Sequence, residues 1–334
     1  MVDTTSSKPH EMVPLSNQVA GHPDGVQSLD GGRLVVKACL PRELEFYRQV
    51  KQAVARNDAV NARQTELLGR LLDRMPDCRG SWEEYTGSPA GPSKPAETNA
   101  GDEAPRVVME NLTYGYEKPN VCDIKLGTQL WDEDANEEKR QRMDKAAANT
   151  TSGSHGIRLT GWQTYDGKSG TYHSVPKTFG KTIKPGHLET GMRMLLACPE
   201  KGDAECADAI SAGTSMTDDA SLYHLPSLPD ELVEKMLEQH LIKDLEEIRA
   251  IFSELEVRMR GASLLVVYEG ETSRLRQTLE QEGVGRPQVR LIDFGHATIV
   301  AGQGPDQGVL LGLSTVLDLA NKTLANLKRR GGPN

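Results

Sequence analysis

Residues 119–127 read Pro119-Asn120-Val121-Cys122-Asp123-Ile124-Lys125-Leu126-Gly127, and the fold turns on this stretch. Side chains two apart in a β-strand point to one face, so a strand here sets the Asp123 carboxylate beside the Lys125 ammonium. An acid and a base held side by side suit phosphoryl transfer: the lysine can bridge phosphate groups, and the aspartate can hold a hydroxyl or take its proton. As an isolated Asp-x-Lys, the same residues fit a solvated ion pair on a strand surface.

Two further stretches bear on the choice. Val289-Arg290-Leu291-Ile292-Asp293-Phe294-Gly295-His296-Ala297 is an apolar strand ending in Asp-Phe-Gly, the pattern that sets a metal-binding aspartate on nucleotide phosphates in protein kinases. An ordinary strand followed by a glycine turn is the alternative. Arg33-Leu34-Val35-Val36-Lys37 is a short strand rich in β-branched residues and ending in lysine. It follows Gly21 and Gly25, which let a backbone approach phosphates. Glycine-containing loop, strand lysine, acid–base pair and metal aspartate thus succeed one another in kinase order. The sequence lacks H-R-D-x-x-x-x-N, A-P-E and G-x-x-x-x-G-K-[ST], which excludes the usual protein kinases and P-loop enzymes.

The 334-residue chain is 37% hydrophobic and only 4% aromatic, so Leu, Val, Ile and Ala must build the core. A net charge of −9 argues against wrapping nucleic acid and requires any polyanionic ligand to find a local basic patch. The five cysteines, Cys39, Cys78, Cys122, Cys198 and Cys206, form no C-x-x-C pair, which argues against a disulfide framework or zinc site and for a reducing compartment. The N-terminus has no apolar run, and no stretch approaches the roughly 20 apolar residues of a membrane span. The expectation is a nuclear or cytoplasmic chain with no transmembrane segment.

Periodicity predicts a frayed segment over 1–16, an N-lobe over 17–112 and a C-lobe over 113–330. In the N-lobe, helices are expected from Pro41 and over 61–75, a flexible loop over 86–105 and a strand over 106–110. In the C-lobe, a charged helix is expected over 136–148, a strand over 156–165, a strand or loop over 176–183 and a helix over 186–198. A loop-rich stretch over 199–229, the longest helix from Pro229 to near Arg260, a strand over 263–268 and a last helix over 308–330 complete it.

The joint pattern resembles the inositol polyphosphate kinase family. Pro119-x-x-x-Asp123-x-Lys125-x-Gly127 is similar to its P-x-x-x-D-x-K-x-G signature, Ser263-Leu264-Leu265 with Tyr268-Glu269-Gly270 to its S-L-L…Y-E-G strand, and Ile292-Asp293-Phe294 with His296 to its I-D-F-x-H element. Thr151-Ser152-Gly153-Ser154, Gly156-Ile157-Arg158 and Phe179-Gly180-Lys181 fit as well. Val19-Ala20-Gly21-His22, Glu43-Leu44-Glu45-Phe46-Tyr47 and Glu110-Asn111-Leu112 are similar to its fungal-type multikinase branch.

The resemblance implies an α/β (α+β), two-lobed kinase-like fold. It implies ATP and Mg²⁺ as cofactors, and inositol tris- and tetrakisphosphates as substrates, carried toward the pentakisphosphate. By the same resemblance Lys37 is the ATP lysine, and Glu110 and Leu112 form the hinge that holds adenine. Asp123 meets ribose and substrate hydroxyls, Lys125 meets inositol phosphates and the transferred group, and Asp293 is the metal ligand, with Ser263 as a second candidate for that shell. His296 faces the inositol site. A monomer located in nucleus and cytoplasm is expected, with phosphoinositide head groups and nuclear proteins as further partners. An inositol hexakisphosphate kinase, or a nuclear assembly factor retaining the fold, stays open as the alternative.

One part of the substrate site follows from spacing. On a helix over 136–148, Lys139, Arg142 and Lys145 lie three apart and form one basic stripe, suited to several phosphates at once. Lys181 extends it, although relatives often carry Arg there, and Asp144 interrupts it. A solvated charged face is the alternative.

Overall fold

A computed structural model describes residues 12–15, 25–56, 61–87, 104–175, 177–204, 225–281 and 283–331. Residues 88–103 of the expected flexible loop, the segment 19–22 with Gly21, and Cys206 lie outside the described residues.

Two five-stranded antiparallel sheets carry the two lobes. The first runs in the order β1 (Val13–Pro14), β2 (Val26–Leu29), β3 (Leu34–Ala38), β5 (Arg106–Glu110), β4 (Cys78–Ser81). The second runs β11 (Gln288–Ile292), β10 (Ser263–Glu269), β6 (Pro119–Leu126), β7 (Ile157–Asp166), β8 (Thr171–Val175). A small third sheet pairs β9 (Val257–Met259) with β12 (Ala297–Ile299). The decisive strand β6 is central, with a neighbour on each edge. Its even-numbered residues Cys122, Ile124 and Leu126 are buried in the core, so Asp123 and Lys125 share the opposite, cleft-side face.

The signature glycine has a physical reason. Gly127 ends β6 at φ +98, a conformation that disfavours a Cβ, and its N–H donates to the Gly156 carbonyl at 2.8 Å. Helix α10 (Gln307–Gly331) crosses this junction so closely that a Cβ on Gly312 would overlap that same carbonyl. Three glycines therefore fix where β6 and β7 enter the site.

The other helices are α1 (Pro41–Arg56), α2 (Ala62–Leu72), α3 (Trp82–Thr86), α4 (Glu137–Ala148), α5 (Thr151–His155), α6 (Lys177–Thr182), α7 (Leu188–Leu195) and α9 (Thr272–Glu280). The helix α8 joins Asp230–Met236 through a π-helical turn, Leu237–Leu241, to Ile242–Phe252. The lobes meet where α2 packs on α8. Arg63–Glu254, Arg70–Glu247 and Arg74–Asp244 ion pairs cross there. The exposed pair is worth under about 1 kcal/mol. Leu67 and Leu71 of α2 and Ile248 and Ile251 of α8 are fully buried in one core. At about 1.5–3 kcal/mol per buried side chain, this apolar contact holds the lobes together.

Several expectations are corrected. Val13–Pro14 pairs with β2, inside the stretch expected to be frayed. Residues 177–182 form a helix rather than a strand or loop, because Phe179 and Ile183, one helical turn apart, both bury. Helix α8 stops at Phe252, well before Arg260. Val257–Met259 leaves it to pair with β12, a long-range pairing that outweighs the continued 3–4 spacing. The longest helix is α10, with 25 residues.

Candidate active site

Lys37, on β3, reaches across the cleft. Its Nζ lies 2.9 Å from Asp293 Oδ1 and 2.9 Å from Glu43 Oε1. Burial opposes the lysine's charge, but Asp293 and Glu43 outweigh it and hold its pKa above the ordinary value. Glu43 comes from the first turn of α1 and is itself buried. The pair matches the strand-lysine to helix-glutamate pair of protein kinases. Sequence reading missed this role, although an acid one turn into the helix after a lysine strand was the available signal. Asp293 follows the last residue of β11 at φ +66, a strained conformation for a residue other than glycine. Burial acts to raise the Asp293 carboxyl, but Lys37 and then Lys125 prevail and hold it below its usual range. Phe294 anchors the turn by stacking on Phe46 of α1 at 5.3 Å.

The acid–base pair of β6 lies alongside. Asp123 is only 4% exposed, and its Oδ1 has no hydrogen-bond partner. Burial pushes its pKa up to about 6, against the pull of Lys125. Lys125 Nζ donates to the Gly261 carbonyl at 2.7 Å and touches Ser263 Oγ at 3.5 Å. Ser263, expected as a second metal-shell candidate, is fully buried opposite Lys125 in the β10–β6 register. It therefore sits behind the lysine and orients it. On the other side β7 is bulged between its pairings with Asp123 and Ile124, and this bulge sets Arg158 opposite Lys125. Arg158 is half-buried. Burial lowers its pKa while Asp123 pulls the other way. Among the described residues its guanidinium has no carboxylate at ion-pair distance. The sequence reading gave it no role.

The expected hinge lies between the sheets. Glu110 ends β5, and its carboxylate is held by Arg290 at 3.1 Å and the Asp77 N–H at 3.2 Å. The Leu112 carbonyl accepts from Gln288 at 3.1 Å, while its N–H has no acceptor among the described residues. Beside it opens a cavity of about 480 Å³ walled by both lobes, including Leu15 and Ser28 above, Asn111 and Thr113 at the hinge, and Pro119, Gln163 and Tyr172 below. That volume suits a small-molecule ligand. Asp123 lies four residues along β6 from Pro119, about 13 Å at strand rise.

The basic stripe stands on α4. Asn136 caps the helix by accepting from the Lys139 N–H. Lys139 Nζ lies 3.6 Å from Asp132 Oδ1, and the same carboxylate lies 2.6 Å from His296 Nδ1. Arg142 and Lys145 are exposed, with no carboxylate partner among the described residues. The α4 stripe and His296 are thereby brought together through Asp132. Lys181 is not. Phe179, two residues before it, packs on Trp162 at 5.6 Å, and Trp162 pairs with Cys122 on the sheet face away from Asp123.

Does this donor set fit a divalent cation on a nucleotide? Asp293 offers one oxygen to Lys37 and keeps the other, and the Asp123 Oδ1 is orphaned nearby. Hard carboxylate oxygens beside phosphate-binding lysines suit such a cation. No cluster of three or more potential ligand side chains occurs among the described residues, in keeping with a metal that also takes phosphate and water.

The inositol polyphosphate kinase family matches residues 106–212 and 223–321. The inositol polyphosphate multikinase of Saccharomyces cerevisiae is 27% identical over 92% of this chain and 97% of its own length. That of Schizosaccharomyces pombe is 33% identical over 52% of this chain and 60% of its own. Mouse inositol hexakisphosphate kinase 3 is 28% identical over 64% of this chain and 49% of its own. The structure of S. cerevisiae inositol phosphate multikinase Ipk2 in complex with ADP and Mn²⁺ matches with a TM-score of 0.58 at 26% identity, covering 88% of this chain and 100% of that one. With its two lobes, its cross-cleft lysine–aspartate pair and these matches, the chain belongs to the inositol polyphosphate kinase family.

Proposed function

We propose that the protein is an ATP-dependent inositol polyphosphate multikinase that phosphorylates inositol tris- and tetrakisphosphates. The observation that carries this reading is Lys37 meeting Asp293 at 2.9 Å across the cleft, beside an Asp123–Lys125 pair on the neighbouring face. The near full-length match to a fungal multikinase favours this over a hexakisphosphate kinase.

In this reading the nucleotide base occupies the cavity at the hinge, with the Leu112 N–H as its donor. The phosphates then run along β6 toward Lys37. A divalent cation held by Asp293, Mg²⁺ in our assignment, supplies charge neutralisation on the nucleotide phosphates. Lys37 holds the non-transferred phosphates, and Glu43 keeps it extended. Lys125, locked by Gly261 and Ser263, faces the transferred group and the acceptor phosphates. Asp123, with a pKa of about 6, orients the acceptor hydroxyl and is basic enough to take its proton. Arg158, Lys139, Arg142, Lys145 and His296 bind the acceptor's other phosphates. Catalysis is chiefly positioning and charge stabilisation. The test is turnover by the purified protein with ATP and Mg²⁺, given inositol 1,4,5-trisphosphate or inositol hexakisphosphate in separate arms. Product from the trisphosphate is expected. No product there overturns the reading, and product from the hexakisphosphate alone reassigns the enzyme.

A further inference from the structure

We propose that Asp132 is a positioning residue for this reaction: buried between the lobes, it seats the His296 imidazole for the acceptor phosphate and ties that seat to the first turn of α1. The proposal rests on the kinase reading above. Asp132 lies in the connection between β6 and α4, and its side chain is only 9% exposed. Two cations and an imidazole from three separate parts of the chain surround it. His296 Nδ1 approaches its Oδ2 to 2.6 Å, Arg42 NH1 to 3.5 Å, and Lys139 Nζ approaches its Oδ1 to 3.6 Å. His296 Nδ1 makes no hydrogen bond there, so the close approach to the carboxylate is what seats the ring.

The exposures are what a holder requires. Only the acid is buried, whereas the side chains of His296, Lys139 and Arg42 are 36%, 38% and 54% exposed. A purely structural ion cluster would bury its cations too, since an uncompensated buried charge is costly. Here Asp132 meets the imidazole at Nδ1 and leaves Nε2 without a protein partner among the described residues.

Arg42 and Glu43 are adjacent in α1. Glu43 holds Lys37, which holds Asp293. Arg42 reaches Asp132, which holds His296. Two ionic chains thus leave one helical turn and reach the two ends of the 293–296 segment. Arg42 also pairs with Asp134 in the same connection. Docking of α1 seats the donor-side lysine and the acceptor-side histidine together.

The experiment is steady-state kinetics on Asp132→Asn, His296→Ala and the double variant, with thermal melting of each. Asp132→Asn is expected to raise KM for inositol trisphosphate about tenfold, with KM for ATP within about twofold. In the His296→Ala background the same substitution should add less than about twofold, because residues acting as a unit are not additive. An unchanged KM in folded Asp132→Asn, full multiplication in the double variant, or an inert His296→Ala each overturns the proposal while leaving the kinase reading standing. Absence of turnover in the wild type defeats the reading itself. If Asp132→Asn does not fold, the exposed Arg42→Gln replaces it. Its expected threefold or so rise in KM must likewise vanish in the His296→Ala background, and persistence there overturns the proposal.

Discussion

Replacing Asp123 by asparagine should make the protein more stable at neutral pH while stopping turnover. The carboxylate is almost fully buried, one oxygen finds no partner, and burial raises its pKa from 3.8 to about 6. The sign follows from linkage. The folded state holds this proton at a pH where the unfolded chain has released it, so the wild type loses stability as pH rises from about 4 to about 6. Above that window the ionised carboxylate costs the native state about 3 kcal/mol. Asparagine mimics the protonated acid at every pH. The gain from Asp123→Asn should therefore be about 3 kcal/mol at pH 7.5, about half that at pH 5, and close to nothing below pH 4. Urea unfolding of metal-free, nucleotide-free protein across this range measures it. No gain at pH 7.5, or an equal gain at every pH, would refute the claim that a buried, strained charge is kept at this site for its chemistry.

Other outcomes follow from the same geometry. Arg142→Ala and Arg158→Ala should each raise KM for inositol trisphosphate roughly tenfold to hundredfold with KM for ATP nearly unchanged; a solvated helix face predicts no change for Arg142→Ala. Glu43→Gln leaves Lys37 with Asp293 alone, and kcat/KM for ATP should fall at least about tenfold in a protein that still melts cooperatively. Asp293→Asn should abolish turnover in a protein that still melts cooperatively, because asparagine tolerates φ +66 better than most residues, but at a lower temperature at neutral pH, since the ionised carboxylate paired with Lys37 is lost; retained activity would mean the metal lies elsewhere.

What could be read from the sequence, and what could not, divides along the range of the interactions. Strand β6 and the shared face of Asp123 and Lys125 follow from a local period of two. Lys37 and Asp293 were recognisable because each ends an apolar strand, and the face of α4 was recognisable from the three-apart spacing of Lys139, Arg142 and Lys145. The misses are long-range. Residues 253–260 continue the apolar spacing of α8, and only the pairing of Val257–Met259 with β12 ends the helix. Helix α6 spans six residues, too few to display a helical period. The run Asp132-Glu133-Asp134 drew no reading from its sequence, since its partners Arg42 and His296 are brought to it by the fold. Arg158 stands in the quoted Gly156-Ile157-Arg158, but no local spacing gives it a role, because the bulge that sets it opposite Lys125 is a property of two strands.

The distribution of unpaired charge gives the strongest physical argument for a polyphosphate acceptor. On the donor side Lys37 is shared by two carboxylates, so it is electrostatically satisfied before any ligand arrives. Moving toward the acceptor side, Lys139 leans on one carboxylate, Lys125 donates to a neutral carbonyl, and Arg142, Lys145 and Arg158 have none among the described residues. For Arg142 and Lys145, exposed on a helix, water is a sufficient partner. For Arg158 it is not: the residue is half-buried within a sheet, and the carboxylate that acts on its charge, Asp123, makes no ion pair with it and is also pulled on by Lys125. The chain has 48 acidic residues against 39 basic ones, so a partner for Arg158 was not in short supply. The bulge in β7 instead aims it at the cleft opposite Lys125. A ligand carrying several phosphates provides further anions together, and its binding would draw on positive charge that the native fold compensates only in part.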